Sequence, residues 1–135
     1  MPVECEFGVD ERGNYACTLS GITIDNDLSL NFTLTGIHLP ERNNNDVRAV
    51  IIQFADIPFV FKEIFETFPN VLQLRVNKGG LVTFQQNAFF KATNLLTIEI
   101  SQNFIPTLYP HAFVGANNVE VLFLADNSID RKSVV

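Results

Sequence analysis

The segment VLQLRVNKGGLVTFQQNAFFKATN, Val71–Asn94, is followed directly by LLTIEISQNFIPTLYPHAFVGANN, Leu95–Asn118, and the two align without a gap. The apolar columns of this alignment are Val71/Leu95, Leu74/Ile98, Val76/Ile100, Leu81/Ile105 and Phe84/Leu108. The same columns continue in residues 47–70 and in the partial copy 119–135. A fixed period of 24 residues, positions 71 to 94 and then 95 to 118, is the signature of a solenoid in which each repeat forms one turn.

The repeated unit reads LxxLxLxxNxIxxLxxxxFxxxxN, and it resembles the typical class of extracellular leucine-rich repeat. The resemblance implies an α/β solenoid with short parallel strands on the concave side, loops and short helical turns on the convex side, and an amino-terminal hairpin cap. It divides the chain into a cap with the first strand, residues 1–46, and the repeats 47–70, 71–94, 95–118 and 119–135.

Two further columns predict how the turns of the coil pack. Phenylalanine recurs at the nineteenth place of the repeat, which predicts an internal stack of Phe65, Phe89 and Phe113. The family's ninth-place asparagine is present at Asn103 and Asn127, but Ala55 and Gly79 replace it in the earlier repeats. The early turns therefore need other partners for the buried backbone groups. On the convex side, Pro110 predicts the start of a short helical turn.

Composition excludes several classes of protein. The chain has 135 residues, 47% hydrophobic and 18% charged, which suits one folded domain. A net charge of −6 and scattered basic residues disfavour binding to nucleic acids or anionic membranes. No segment has the length and apolarity of a membrane span. The charged first residues are not a signal peptide, so secretion implies a leader that this chain lacks. A cytosolic protein is the alternative.

Cys5 and Cys17 are the only cysteines, and the turn-prone segment Asp10–Asn14 lies between them. A hairpin would bring the two sulfur atoms together, and closing so short a loop would stabilise the fold by roughly 3 kcal/mol. The cysteine-stapled caps of extracellular repeat proteins favour a disulfide here. Two buried free thiols are the alternative.

The segment Leu28–Leu39 alternates apolar and polar residues, which predicts a strand with one buried face. It is expected to be the first strand of the sheet or a strand of the cap beside it. Asn31 begins an Asn-Phe-Thr glycosylation sequon on the polar face. The polar segment Pro40–Asp46 reads as a solvated connector between cap and repeats.

The variable strand positions are the candidates for a ligand site, because solenoids bind with their concave sheet face. These candidates fall in two rows and are Ile51, Gln53, Arg75, Asn77, Glu99, Ser101 and Phe123. Arg75 and Glu99 are expected to be neighbours on parallel strands and to form an exposed ion pair, which would contribute about 0–1 kcal/mol.

The sequence offers no candidate catalytic or cofactor site. His38 falls in the cap strand and His111 on the convex return, far apart, and no Ser/His/Asp or Cys/His grouping forms. Gly79-Gly80 lacks the Lys-Ser/Thr that follows a phosphate-binding loop. Two cysteines without a nearby histidine do not make a metal site. We therefore expect no enzyme, no metal and no cofactor.

The apolar strand VEVLFLA, 119–125, comes close to the carboxyl terminus without a recognisable cap motif. Such an edge predicts self-association, so a homodimer through the last repeat is expected. A fragment of a longer ectodomain, or a natural protein whose final residues fold over the end, are the alternatives.

Three short motifs bring the resemblance closer to insect secreted immune leucine-rich repeat proteins and Toll-like receptor ectodomains. They are YxCxL (Tyr15, Cys17, Leu19), FxxFPN (Phe65, Phe68, Pro69, Asn70) and the AFxxAxN returns at Ala88-Phe89 and Ala112-Phe113. The resemblance implies a secreted, non-catalytic recognition module for a protein or microbial surface ligand. A structural, self-assembling extracellular protein and an intracellular repeat adaptor are the alternatives.

Overall fold

The computed structural model describes residues 1–109 and 111–126. Its strands and its α-helix are β1 Pro2–Glu4, β2 Glu6–Val9, β3 Tyr15–Ser20, β4 Thr33–Thr35, β5 Ala49–Gln53, β6 Phe59–Val60, α1 Glu63–Thr67, β7 Gln73–Asn77, β8 Thr83–Phe84, β9 Thr97–Ser101 and β10 Val121–Ala125. The main feature is a six-stranded sheet with the order β10-β9-β7-β5-β3-β2, in which all neighbours except β2 and β3 are parallel. Predicted features at Pro110, at Asn127 and in the rest of 127–135 lie outside the described residues.

The 24-residue period sets the register of the parallel strands. Leu74 on β7 is level with Val50 on β5 and with Ile98 on β9. These inward positions are fully buried, because one side of each strand faces the interior of the coil. Each repeat strand is followed by a residue with positive φ: Phe54, Lys78, Gln102 and Asp126. The chain therefore leaves the sheet through the same left-handed turn in each repeat.

The interior of the coil holds the predicted phenylalanine stack. The ring centroids of Phe65 and Phe89 are 5.4 Å apart, and those of Phe89 and Phe113 are 5.2 Å apart. Phe65 and Phe89 are buried, whereas Phe113 is partly exposed. Outside the main sheet, the repeats form α1, the short pair β6–β8 and a series of turns that includes residues 111–115.

Asn103 shows how a ninth-place asparagine joins two turns. Its side-chain carbonyl accepts the N–H groups of Gly79 and Leu81 at 3.0 and 3.1 Å. Its amide donates to the carbonyls of Val76 and Ser101 at 3.1 and 2.7 Å. Gly79 has no room for a side chain, because a Cβ there would lie 2.7 Å from a methyl carbon of Val76.

The earlier turn replaces the missing asparagine with direct backbone bonds. Ala55 N–H donates to the Lys78 carbonyl at 3.0 Å, and Ile57 N–H donates to the Gly79 carbonyl at 2.7 Å. The backbone groups that lack an asparagine partner are thus paired with the neighbouring turn, as burial requires.

The amino-terminal segment forms a disulfide-linked hairpin at one end of the sheet. β2 and β3 pair antiparallel from Glu6↔Thr18 to Val9↔Tyr15. The predicted bond between Cys5 and Cys17 is present, with Cα atoms 5.1 Å apart. β3 also pairs in parallel with β5, so the hairpin forms one edge of the main sheet and β3 begins its parallel part.

The segment Leu28–Leu39 is not one long strand and is not the first strand of the main sheet, so those predictions are wrong. The alternative, a strand of the cap beside the sheet, agrees with its middle part. Only Thr33–Thr35 of this segment is a strand, and it pairs with β1 outside the main sheet. The Asp27 carboxylate accepts the N–H and hydroxyl of Ser29 at 2.9 and 2.6 Å, which stabilises a local turn in place of an extended chain. Leu28 is exposed as a result, while Phe32 is buried.

Candidate functional site

The concave face carries the two predicted rows of side chains in strand register. Ile51, Arg75, Glu99 and Phe123 occupy matching positions on β5, β7, β9 and β10. Gln53, Asn77 and Ser101 form the adjacent row. A depression of about 310 Å³ opens between these rows, and its lining includes Arg12, Arg75, Glu99, Ser101 and Phe123. The sequence alignment therefore placed the candidate residues on one surface; whether they bind a ligand stays a prediction.

The tip of the hairpin, Asp10–Arg12, lies over this face. We call these three residues the hairpin tip. Arg75 pairs with the carboxylates of Asp10 and, at 2.6 Å, of Glu11. Arg12 donates to both carboxylate oxygens of Glu99, at 2.9 and 3.4 Å, and to Gln73 at 3.5 Å. The tip therefore extends from β3 across β5 to side chains of β7 and β9.

The prediction that Arg75 pairs with Glu99 is wrong for this reason. The two residues are level on adjacent strands, but each makes its ion pair with the hairpin tip. The Arg75 side chain is only 11% exposed and that of Asp10 only 3%. A carboxylate so close and so well shielded from water attracts the guanidinium more strongly than an exposed neighbour does.

Asp10 also fixes the shape of the tip. Its Oδ1 accepts the backbone N–H groups of Arg12 and Asn14 at 2.9 and 2.8 Å. Its other oxygen faces Arg75, so both carboxylate oxygens are used. Among the described side chains, the Nε of Arg75 is a buried donor without a hydrogen-bond partner.

The pKa values of Glu11 and Arg12 are both shifted. A hydrogen bond from its own backbone, followed by the hydrogen bond from Arg75, lowers the pKa of Glu11. The hydrogen bond to Glu99 is the main reason that the pKa of Arg12 is raised. Both shifts favour the charged forms of these side chains.

The tip residues were absent from the candidate list derived from the sequence. Two features of the sequence could have indicated them. One is the charged run Asp10-Glu11-Arg12 at the turn of the predicted hairpin, and the other is an arginine, Arg75, in the middle of a strand. Periodicity assigns residues to rows within the repeats, but it does not show where a turn outside them will lie.

The other predicted sites are separate from the concave face. Asn31 is exposed, and its backbone carbonyl accepts a hydrogen bond from the amino-terminal ammonium of Met1 at 3.0 Å. His38 bridges the Tyr15 hydroxyl and the Asn44 side chain, at 2.8 Å each, and stacks on Phe7 with ring centroids 3.9 Å apart. His38 thus links the hairpin to the polar connector Pro40–Asp46. His111 is exposed on the convex side.

The described residues include no group of three or more His, Cys, Asp or Glu side chains arranged to hold a metal ion. Over the same residues, no helix has the length and apolarity that a membrane crossing requires.

Residues 57–129 match the leucine rich repeat family. That match covers more than half of the chain, and the chain belongs to this family. No curated protein matches the chain. Leucine-rich repeats are typically non-catalytic interaction modules, and no enzyme family is indicated. The family and the largely parallel sheet together define a solenoid-like repeat protein whose domain is suited to binding other proteins.

Proposed function

We propose that this chain is a secreted recognition module that binds a protein ligand with its concave face. The observation that carries the proposal is the row Arg75, Glu99 and Phe123, which joins two charges and an exposed aromatic ring at one depression. Arginine and aromatic side chains are enriched at the centres of protein interfaces. A microbial surface protein and a role in innate immunity are the specific form of this proposal that the sequence resemblance suggests.

Two features support an extracellular location. The Cys5–Cys17 disulfide is a type of bond that persists mainly in oxidising compartments. The sequon asparagine, Asn31, is exposed and accessible to a glycan. The intact mass of the protein purified from its source tests both: loss of mass with peptide N-glycosidase, and thiols that react only after reduction, are expected. Free thiols and an unmodified Asn31 would favour an intracellular adaptor.

A capture experiment tests the concave site. The chain is immobilised and exposed to extracellular fluid from its source, and the proteins retained are compared with those retained by E99Q/F123A. Arg75 is left intact because its pairing with Asp10 makes it part of the fold. The matched control is F90A/E120Q, which changes an exposed phenylalanine and a glutamate outside the two concave rows.

We expect a protein that the wild type and the control retain and that E99Q/F123A loses. Retention by all three chains would place the binding surface elsewhere on the molecule. Retention of nothing by the wild type would contradict a recognition role in that fluid.

Self-association is a second candidate function, and one observation favours it. Leu122 belongs to the same inward column as Leu74 and Ile98, which are buried, yet it is 42% exposed. Among the described residues, β10 pairs only with β9 and is an outer strand of the sheet. Sedimentation equilibrium tests this: a dimer that V121K converts to a monomer is expected, and a monomer at high protein concentration contradicts it.

A further inference from the structure

The hairpin tip occupies part of the face that the proposed function assigns to a ligand. Its contacts join residues 61 to 87 positions apart, such as Arg12 with Gln73 and with Glu99. The last paired residues of the hairpin are Val9 and Tyr15, so the tip lies beyond the sheet pairing. Side-chain contacts of the tip therefore connect it to β7 and β9.

These contacts are unequal in strength. Asp10 and Arg75 form a shielded pair, whereas the Glu11 side chain is 75% exposed and that of Arg12 is 43% exposed. Exposed pairs contribute little, and salt screens them. The outer part of the tip, Glu11 and Arg12, can thus be replaced on the face by another chain that offers the same charges.

We propose that the hairpin tip is an internal ligand of the concave face, and that the partner of this face carries carboxylates followed by an arginine or lysine. This inference rests on the proposed function. The partner's carboxylates take the place of Glu11 beside Arg75, and its basic group takes the place of Arg12 beside Glu99. The face thereby selects a protein segment with the charge order of the tip.

The depression next to the tip supplies the contact that lets a partner compete. The tip makes ion pairs as far as β9, while Phe123 on β10 is still 54% exposed at the rim. A partner segment that continues past Glu99 places an apolar side chain against this ring. Burial of that apolar surface stabilises the complex with the partner, since the hydrophobic contribution is roughly proportional to the apolar area buried. The hairpin tip lacks this contribution.

A peptide with the sequence of residues 5–17, closed by its own Cys5–Cys17 disulfide and labelled with fluorescein, is the probe. Its binding is followed by fluorescence anisotropy at low salt with four chains. These are the wild type, E11Q/R12Q with a weakened tip, E11Q/R12Q/E99Q with a weakened tip and face, and K62Q/E66Q. The last is the matched control, because it also removes one basic and one acidic exposed group, on or next to α1.

We expect E11Q/R12Q to bind the peptide at least tenfold more tightly than the wild type, because its own tip competes less. K62Q/E66Q is expected to match the wild type, and the added E99Q is expected to return binding to the wild-type level. A peptide in which Glu11 and Arg12 are both replaced by glutamine should bind none of the chains. Equal binding by the wild type and E11Q/R12Q, or no binding by either, overturns the proposal.

The peptide titration needs no natural ligand, so its result is separate from the capture experiment. Tighter peptide binding by E11Q/R12Q without a difference in capture contradicts the proposed function and the partner inferred from it, and leaves the tip as an internal ligand of the face. A difference in capture without peptide binding contradicts only the internal ligand.

Discussion

Replacing Arg75 with methionine tests how strongly the hairpin tip is anchored. Methionine keeps most of the length of the side chain and removes its charge. The Asp10 carboxylate, 3% exposed, then loses its charged partner and keeps only the N–H groups of Arg12 and Asn14. Removing one member of a buried ion pair costs about 3–5 kcal/mol when the other stays buried.

The cost expected for R75M is lower than this range because of the position of Asp10. The tip is a turn beyond the sheet pairing, so it can move away from the face and return the carboxylate to water. The loss is then limited by the free energy of lifting the tip, and we expect about 2–3 kcal/mol for R75M. D10N/R75M removes both charges, and its cost is expected to fall to about 1 kcal/mol.

Urea unfolding of the wild type, R75M, D10N and the double variant measures the coupling between the two residues. Urea is preferred to guanidinium chloride because the latter is a salt and screens ion pairs. A cost below about 0.5 kcal/mol for R75M would refute the reasoning. A double variant as unstable as the sum of the two single variants would refute it as well.

Three further predictions concern the core, the joint between turns and the effect of pH. N103L removes the buried partner of Gly79 N–H and Leu81 N–H and is expected to lower the free energy of unfolding by about 3 kcal/mol. Urea unfolding measures this, and a cost no larger than that of an exposed substitution would show that these hydrogen bonds between the turns are not needed. F89A is expected to cost about 3–5 kcal/mol, and more than F113A, because Phe113 is only partly buried; equal costs would contradict the stack. Glu11 has a lowered pKa in the folded chain, so its contribution to stability is full above its unfolded pKa of about 4.3 and is lost as the pH falls through the folded value. Unfolding at several pH values should therefore show that the wild type and E11Q converge in acid, and a constant difference would contradict this sign.

The parts of the fold that depend on the repeat could be predicted from the sequence. The period alone gives the register of Arg75 with Glu99 and Phe123, because each inward column must stay inside the coil for the core to close. The phenylalanine stack follows from the same argument. The position of Asn103 between two turns follows from the asparagine column of the family.

The parts outside the repeat could not be predicted in the same way. Alternation over Leu28–Leu39 suggested a long strand, but the side chain of Asp27 bonds locally to Ser29 and competes with extended structure. Only a three-residue strand, Thr33–Thr35, remains. Local side-chain bonds of this kind decide between two conformations of similar energy, and periodicity does not detect them.

The pairing of Arg75 was predicted wrongly for a related reason, and the error is informative about the face. On a bare sheet, Arg75 and Glu99 would satisfy each other as neighbours on parallel strands. In the folded chain, Arg75 forms ion pairs with the two acidic residues of the hairpin tip, and Glu99 forms one with Arg12. Three ion pairs with the tip replace one pair within the sheet, so both charges of the face are directed toward the concave side instead of toward each other. Any ligand that displaces the tip must satisfy the same two charges in the same order, because a desolvated charge without a partner is costly. The charge order of the hairpin tip therefore predicts the charge order of the partner proposed above.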